Sequence, residues 1–220
     1  MLQSSTLKFL KDLKKNNNKP WFDENRKIYE LAKQDFISMV EKLITGIAKF
    51  DAPIGILKAK DCIFRINRDI RFSKDKSPYK TNMGAFFTRN GKKSPDAGYY
   101  IHCEPGQSFI GGGLYLPMSP LLAKARQEID YNFDEWKKIV NNKNFKKYFP
   151  EGVDGIEVLS RPPKGYADDN PAIEFLKMKS FIVSHAAEDN LLTDKNSTSN
   201  ILQSFAAMKP FLDFLNNAIE

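Results

Sequence analysis

The order of apolar patterns along the chain limits the folds that it can adopt. Apolar residues recur at three- and four-residue steps in residues 6–15, 28–47 and 197–215, which is helical spacing. In residues 84–116, short apolar runs alternate with an Asn-Gly pair and a Pro-Gly pair, which favour antiparallel hairpins. The pattern therefore predicts a single α+β domain over residues 1–220, with a central antiparallel sheet and helices packed from both chain ends.

The polar residues beside these runs predict where elements begin. Ser5 or Thr6 is expected to cap the first helix, and Ser119 to cap a helix that opens with Pro120. Further helices are expected over residues 134–140, 144–149 and 173–176, the last of these opened by Asn170 as N-cap and Pro171 in the first turn. Pro210 is expected to kink the terminal helix. The expected strands cover residues 62–64, 84–88, 98–104, 108–116, 156–159 and 181–185. Residues 16–20 end the first helix, and Asp23 and Glu24 begin a long second one.

Positive charge is concentrated in one part of the chain. The net charge is +7, yet residues 58–93 alone contain 11 basic and 3 acidic residues, and residues 101–220 are slightly acidic. A local positive field attracts phosphates, nucleic acid or acidic metabolites.

The densest part of this region is residues 65–80, here called the basic loop. If its first half is a strand, alternate side chains share a face, and if it is a tight helical turn, every third side chain does. Either conformation brings guanidinium groups together, and such groups bind phosphate or carboxylate in a bidentate manner. The predicted ligand contacts are Arg65, Arg68, Arg71, Lys74, Lys76, Tyr79 and Lys80.

Two other interpretations of the basic loop stay open. The cations could form internal salt bridges, although Asp69 and Asp75 are too few to match all six of them. Alternatively, the loop could belong to a nucleic-acid-binding module, with Phe72, Tyr79 and the pair at residues 86–87 as rings for base stacking. An anionic small molecule is the favoured partner.

No known catalytic template occurs in the sequence, so whether the protein is an enzyme stays open. The candidates for proton transfer are Asp69, Tyr79 and His102. His102 lies two residues before Glu104 in an expected strand, so both side chains face the same side. A third ligand for a metal is not evident, and no metal site or cofactor is predicted.

Cys62 and Cys103 form neither a metal motif nor a disulfide framework, and we expect both to be reduced structural thiols. Residues 1–18 lack the features of a secretory signal, and no apolar run approaches the length of a membrane span. These observations predict a cytoplasmic protein.

Several segments resemble a known family. They are FLKDLKKNNNKPWF at residues 9–22, FRINRDIRFSKDKSPYKTNMGAFF at 64–87, GYYIHCEPG at 98–106, FIGGGLY at 109–115 and RPPKGY at 161–166. Together they are similar to a mainly bacterial family of conserved hypothetical proteins with a domain of unknown function. The resemblance implies a single cytosolic domain and marks the basic loop as its characteristic motif. It implies no reaction or cofactor.

Overall fold

The fold is α+β and is described by a computed structural model that covers residues 1–220. The helices are α1 (Ser4–Lys15), α2 (Lys19–Glu24), α3 (Arg26–Ile47), α4 (Ala59–Cys62), α5 (Ser119–Tyr131), α6 (Phe133–Val140), α7 (Lys143–Tyr148), α8 (Ile173–Leu176), α9 (Asp189–Thr193) and α10 (Ser197–Ile219), with one 3₁₀ helix, Ala52–Ile56. The strands are β1 (Met83–Phe87), β2 (Gly98–Cys103), β3 (Phe109–Leu114) and β4 (Phe181–Ala186).

The four strands form one antiparallel sheet in the order β1-β2-β3-β4. The predicted fold class, with a central antiparallel sheet and helices at both ends, is confirmed. The hairpin between β2 and β3 turns at Gly106, whose φ of 74° suits glycine. Along β2, Tyr99, Ile101 and Cys103 are buried, whereas Tyr100 and His102 on the opposite face are only partly buried.

The chain divides into two compact units. The first contains residues 1–92, 100–110 and 186–203, and the second contains residues 93–99, 111–185 and 204–220. The expectation of a single domain over residues 1–220 stays a prediction.

In the first unit, α1 packs on α3, and a carboxylate of α3 completes the start of α1. Asp35 accepts hydrogen bonds from the backbone N–H of Gln3 at 2.8 Å and from the Thr6 hydroxyl at 2.6 Å. The predicted cap at Ser5 or Thr6 is therefore wrong, because both lie inside α1 and Gln3 occupies the N-cap position. A residue distant in sequence supplies the acceptor that a capping side chain normally provides.

Two further sequence predictions differ from the structure in this unit. Asp23 and Glu24 end the short helix α2 rather than begin α3, because Asn18 caps α2 by accepting the N–H of Trp21 at 3.0 Å. Cys62 is the last residue of α4, and no strand spans residues 62–64, where Ile63 forms only an isolated bridge to Ala85.

In the second unit, Trp136 is fully buried among rings of Phe175, Phe181 and Phe211, with ring centroids 5.4–6.0 Å apart. The expected strand at residues 156–159 is absent, and that segment forms one isolated bridge from Val158. Met118, not Ser119, is the N-cap of α5. Helix α8 covers the expected residues 173–176, but its N-cap is Ala172 rather than Asn170.

The glycines of β3 let two strands approach closely. A Cβ atom on Gly111 would lie 2.5 Å from the carbonyl oxygen of Val183, and one on Gly113 would lie 2.1 Å from that of Phe181. Gly113 also has a φ of 130°, which other residues rarely adopt.

Candidate functional site

The basic loop folds back on itself, and its first half is neither a continuous strand nor a helical turn. Asn67 and Tyr79 form an antiparallel bridge. Two backbone hydrogen bonds flank it, from Arg68 N to Pro78 O at 2.9 Å and from Lys80 N to Ile66 O at 2.8 Å. These contacts bring the two ends of the loop together.

Arg68 connects the two arms of the loop. Its guanidinium forms an ion pair with Asp75 and donates to the carbonyl of Ser77 at 3.0 Å. Hydrogen bonds from the hydroxyl and the backbone N–H of Ser77, followed by the contact with Arg68, lower the pKa of Asp75 to about 2. Asp75 is therefore ionised at neutral pH and satisfies much of the hydrogen-bonding capacity of Arg68.

Two more cations of the loop have internal partners. Arg71 donates from Nε and Nη2 to the two carboxylate oxygens of Asp69, at 2.9 and 2.7 Å. Lys76 donates to the carbonyl of Ile70 at 3.0 Å. Asp69 thus binds an exposed arginine of its own loop, and its role in proton transfer stays a prediction.

Tyr79 belongs to an aromatic cluster. Its side chain is 6% exposed and its ring stacks on Phe22 with centroids 3.9 Å apart. Its backbone exchanges two hydrogen bonds with the side-chain amide of Asn17, at 2.9 and 3.1 Å. The structure therefore places Tyr79 apart from the exposed cations with which the sequence grouped it.

The three other cations, Arg65, Lys74 and Lys80, have no acidic partner. Arg65 and Lys74 are exposed, whereas Lys80 is partly buried, with its Nζ 5.3 Å from the centre of the Phe64 ring. Burial, followed by the nearby charge of Arg65, lowers the pKa of Lys80. The hydrogen bond from Lys80 N to Ile66 O also brings the segments of these two positive residues together at the base of the loop.

A chain of hydrogen-bonding side chains lies on the partly exposed face of β2, in the same unit. His102 Nδ1 lies 3.1 Å from the Tyr100 hydroxyl, and His102 Nε2 lies 3.3 Å from a carboxylate oxygen of Glu104. We call these three residues the Tyr-His-Glu chain. The prediction that His102 and Glu104 face the same side is confirmed by their contact.

Neighbouring residues fix this chain in place. The other carboxylate oxygen of Glu104 accepts hydrogen bonds from Thr81 at 2.9 Å and from Lys14 at 3.1 Å. Asn82 Nδ2 lies 3.4 Å from His102 Nδ1, and the Phe109 ring stacks on the imidazole with centroids 4.7 Å apart.

Electrostatics determines the protonation state of the chain at neutral pH. Burial lowers the pKa of His102; Glu104 opposes this shift and the charge of Lys80 adds to it. Burial alone would raise the pKa of Glu104, but hydrogen bonds from Lys14, Thr81 and His102 outweigh it and lower that pKa. A neutral imidazole beside a carboxylate donates its Nε2 proton to Glu104, which leaves Nδ1 as an acceptor for Tyr100.

The effect of Lys80 on His102 connects the basic loop with the sheet. The Phe64 ring, which lies under Lys80, also contacts the Tyr100 ring at a centroid distance of 6.3 Å. Lys80 therefore lies beside the Tyr-His-Glu chain, and Arg65 follows Phe64 directly in the sequence. We call this group, Arg65, Lys80, Tyr100, His102 and Glu104, the candidate site.

Sequence reasoning missed four contributors to this site. Tyr100 could have been found, because it lies two residues before His102 in the same strand and so shares its face. The contributions of Asn82, Thr81 and Lys14 depend on how distant segments meet. No three His, Cys, Asp or Glu side chains among residues 1–220 are grouped to hold a metal ion.

Fold and site together define a class: an α+β protein with a basic loop beside a polar chain on one face of an antiparallel sheet. Residues 5–214 match the family described as conserved hypothetical protein (DUF2461), and the chain belongs to that family. Neither a curated protein nor a solved structure matches the chain. None of its helices is both long and apolar enough to span a membrane.

Proposed function

We propose that this protein binds a small phosphate- or carboxylate-bearing ligand at the candidate site. The observation that supports this proposal is that the Lys80 N–H donates to the carbonyl of Ile66 at 2.8 Å, which brings the segments of Arg65 and Lys80 together. Neither cation has an acidic partner, while Arg68 and Arg71 are already paired. Two like charges in proximity raise the electrostatic free energy of the empty site, and a bound anion relieves this repulsion. Phosphate and carboxylate groups also suit the guanidinium fork of Arg65.

The paired cations give the loop its shape in this proposal. The Arg68–Asp75 pair and the backbone hydrogen bonds between the two arms hold residues 65 and 80 at the base of a closed loop, and the Arg71–Asp69 pair is a local contact within one arm. The interpretation of the basic loop as an internal salt-bridge motif therefore describes Arg68 and Arg71, and the anion-binding interpretation describes Arg65 and Lys80.

A thermal-shift screen with inorganic phosphate, nucleotides, sugar phosphates and citrate tests the proposal. The variants are Arg65→Gln and Lys80→Met, which remove charge while keeping most of each side chain. Lys74→Met is the matched control, because Lys74 is an exposed cation of the same loop without an acidic partner. We expect ligands to raise the melting temperature of the wild type and of Lys74→Met but not of the double variant that carries both Arg65→Gln and Lys80→Met. Equal responses in all three proteins would exclude binding at Arg65 and Lys80.

One observation favours a second candidate function, binding of single-stranded nucleic acid. Phe72 is 95% exposed, and the guanidinium of Arg71 lies 5.8 Å from the centre of its ring. An exposed aromatic ring beside cations is suited to stacking on a base. In this alternative, an oligonucleotide binds the wild type in low salt, and affinity falls steeply with salt and in Phe72→Ala. An unchanged affinity in Phe72→Ala would reject it.

A further inference from the structure

The Tyr-His-Glu chain adds a property to the proposed anion site. We propose that the site selects phosphate monoester dianions over singly charged anions, and that His102 takes up a proton from solvent when the dianion binds. This inference rests on the proposed function, because the anion must bind beside Lys80. It names both the chemical class of the ligand and the group that balances its second charge.

The charges at the site support a doubly charged ligand. Arg65 and Lys80 provide two positive charges, whereas Glu104 is already paired with Lys14 at 3.1 Å. A phosphate monoester carries nearly two negative charges at pH 7, and a phosphodiester carries one. The attraction of a second ligand charge to Arg65 and Lys80 therefore exceeds its repulsion by Glu104, whose own charge is balanced by Lys14.

His102 is placed to respond to the ligand. Its side chain is 17% exposed, and the groups that act on it come from several segments. These groups are Tyr100 and Glu104 on its own side, Asn82 before β1, Phe109 on β3, and Lys80 from the basic loop. The positive charge of Lys80 disfavours the imidazolium, and an anion bound to Lys80 cancels that effect.

The hydrogen-bond partners of His102 accommodate both protonation states. In the neutral state, Nδ1 accepts from the Tyr100 hydroxyl and Nε2–H donates to Glu104. On anion binding, a buffer acid loses its proton and a new Nδ1–H bond forms, while Nε2–H stays on Glu104. Tyr100 then accepts from Nδ1–H, and the Asn82 amide can turn its oxygen toward it. The imidazolium lies between a carboxylate and a bound dianion, which stabilises its charge.

Calorimetry tests both parts of the proposal. Phenyl phosphate, a monoester, and dimethyl phosphate, a singly charged diester, are titrated into the full-length protein at pH 7 in two buffers of different ionisation enthalpy. We expect phenyl phosphate to bind at least about tenfold more tightly. We expect its heat to depend on the buffer in the way that proton uptake by the protein requires. His102→Gln should abolish this dependence, and His185→Gln, which changes the only other histidine, should preserve it.

The outcomes separate this inference from the function on which it rests. If both compounds bind equally well with buffer-independent heats, anion binding stands and the inference fails. If proton uptake persists in His102→Gln, the proton acceptor is another group and the inference fails. If neither compound binds, this inference fails, and the thermal-shift screen decides the proposed function by itself.

A second measurement needs no variant at position 102. Histidine ring proton signals of the wild type are followed by NMR over pH with and without phenyl phosphate, and His185→Gln assigns them. We expect phenyl phosphate to raise the pKa of His102, and an unchanged titration would overturn the proposal.

Discussion

The ring of Tyr79 stacks on the ring of Phe22 with centroids 3.9 Å apart and planes 15° from parallel. This contact anchors one end of the basic loop to the aromatic cluster of the first unit. The cluster also contains Phe9 and Tyr29. The basic loop is therefore anchored by the buried ring of Tyr79, whereas most of its charged side chains are exposed.

Replacing Tyr79 tests this structural role. Tyr79→Ala removes a buried ring, and we expect it to lower the free energy of unfolding by about 3–5 kcal/mol. Tyr79→Phe keeps the stacked ring and should cost less than about 1.5 kcal/mol. Denaturant unfolding measures both changes. A Tyr79→Phe variant that lost its thermal response to anions while remaining stable would instead identify the hydroxyl as a ligand contact.

The pKa of Asp75 reports on the closed loop. The Ser77 hydroxyl and the Arg68 guanidinium both hydrogen-bond the carboxylate and help to lower its pKa to about 2. Ser77→Ala, which keeps the backbone N–H of residue 77, and Arg68→Ala should therefore each raise this pKa. A carboxylate with a lowered pKa stabilises the fold at pH values above its unfolded pKa, and this contribution disappears as the pH falls toward 2. Carbon-detected NMR titration of the aspartate carboxylates measures both shifts. An unchanged Asp75 pKa in either variant would show that the corresponding contact does not stabilise the carboxylate.

Only part of this site could be predicted from sequence, for physical reasons. The alternation of side chains along a strand is a local property, so the shared face of His102 and Glu104 followed from it. The pairing of Arg68 with Asp75 depends on the loop folding back, and the contact of Lys14 with Glu104 joins residues far apart in the chain. No local pattern encodes such contacts.

In the fold, too, features set by local patterns could be predicted and features set by distant contacts could not. The apolar periods and turn residues predicted β1, β2 and β3 within a few residues, because local geometry dominates there. They failed at the start of α1, where Asp35 from another helix provides the hydrogen-bond acceptor. They also failed at α2, because residues 16–20, which end α1, also contain Asn18, the N-cap of α2.

Two glycines should differ sharply in their tolerance of alanine. In Gly113→Ala, a Cβ would lie 2.1 Å from a backbone oxygen at a φ of 130°, so overpacking and backbone strain combine. We expect a loss of about 3 kcal/mol or more. In Gly84→Ala, the Cβ would meet the end of the Tyr100 side chain at 2.7 Å, which can move. We expect a cost of about 1 kcal/mol.

Gly84→Ala should also disturb the Tyr-His-Glu chain, because the Tyr100 hydroxyl must move away from Gly84. NMR signals of the His102 ring should change in Gly84→Ala, and denaturant unfolding measures the stability of both variants. Equal destabilisation by the two substitutions would contradict the strand approach at Gly113.

Both cysteine thiols should be unreactive in the folded protein. Both are fully buried, and burial, followed by the charge of Asp61, raises the pKa of Cys62 to about 12. Burial also raises the pKa of Cys103. Because the thiolate is the reactive form, a thiol-specific chromogenic disulfide should label neither residue at pH 8 in native buffer and both in guanidinium chloride. Rapid labelling of one thiol in native buffer would show that its part of the fold opens locally.

The pH dependence of stability should contain a contribution from His102. Its pKa in the folded protein is lowered from the usual 6.5, so the unfolded chain binds a proton at a higher pH than the folded protein does. The free energy of unfolding should therefore decrease as the pH falls from 7.5 to 5. Urea unfolding at several pH values measures this slope in the wild type, in His102→Gln and in the control His185→Gln. We expect His102→Gln to have a shallower slope than the other two proteins. An identical slope in all three would mean that His102 has the same proton affinity in the folded and unfolded states, contrary to its burial beside Lys80.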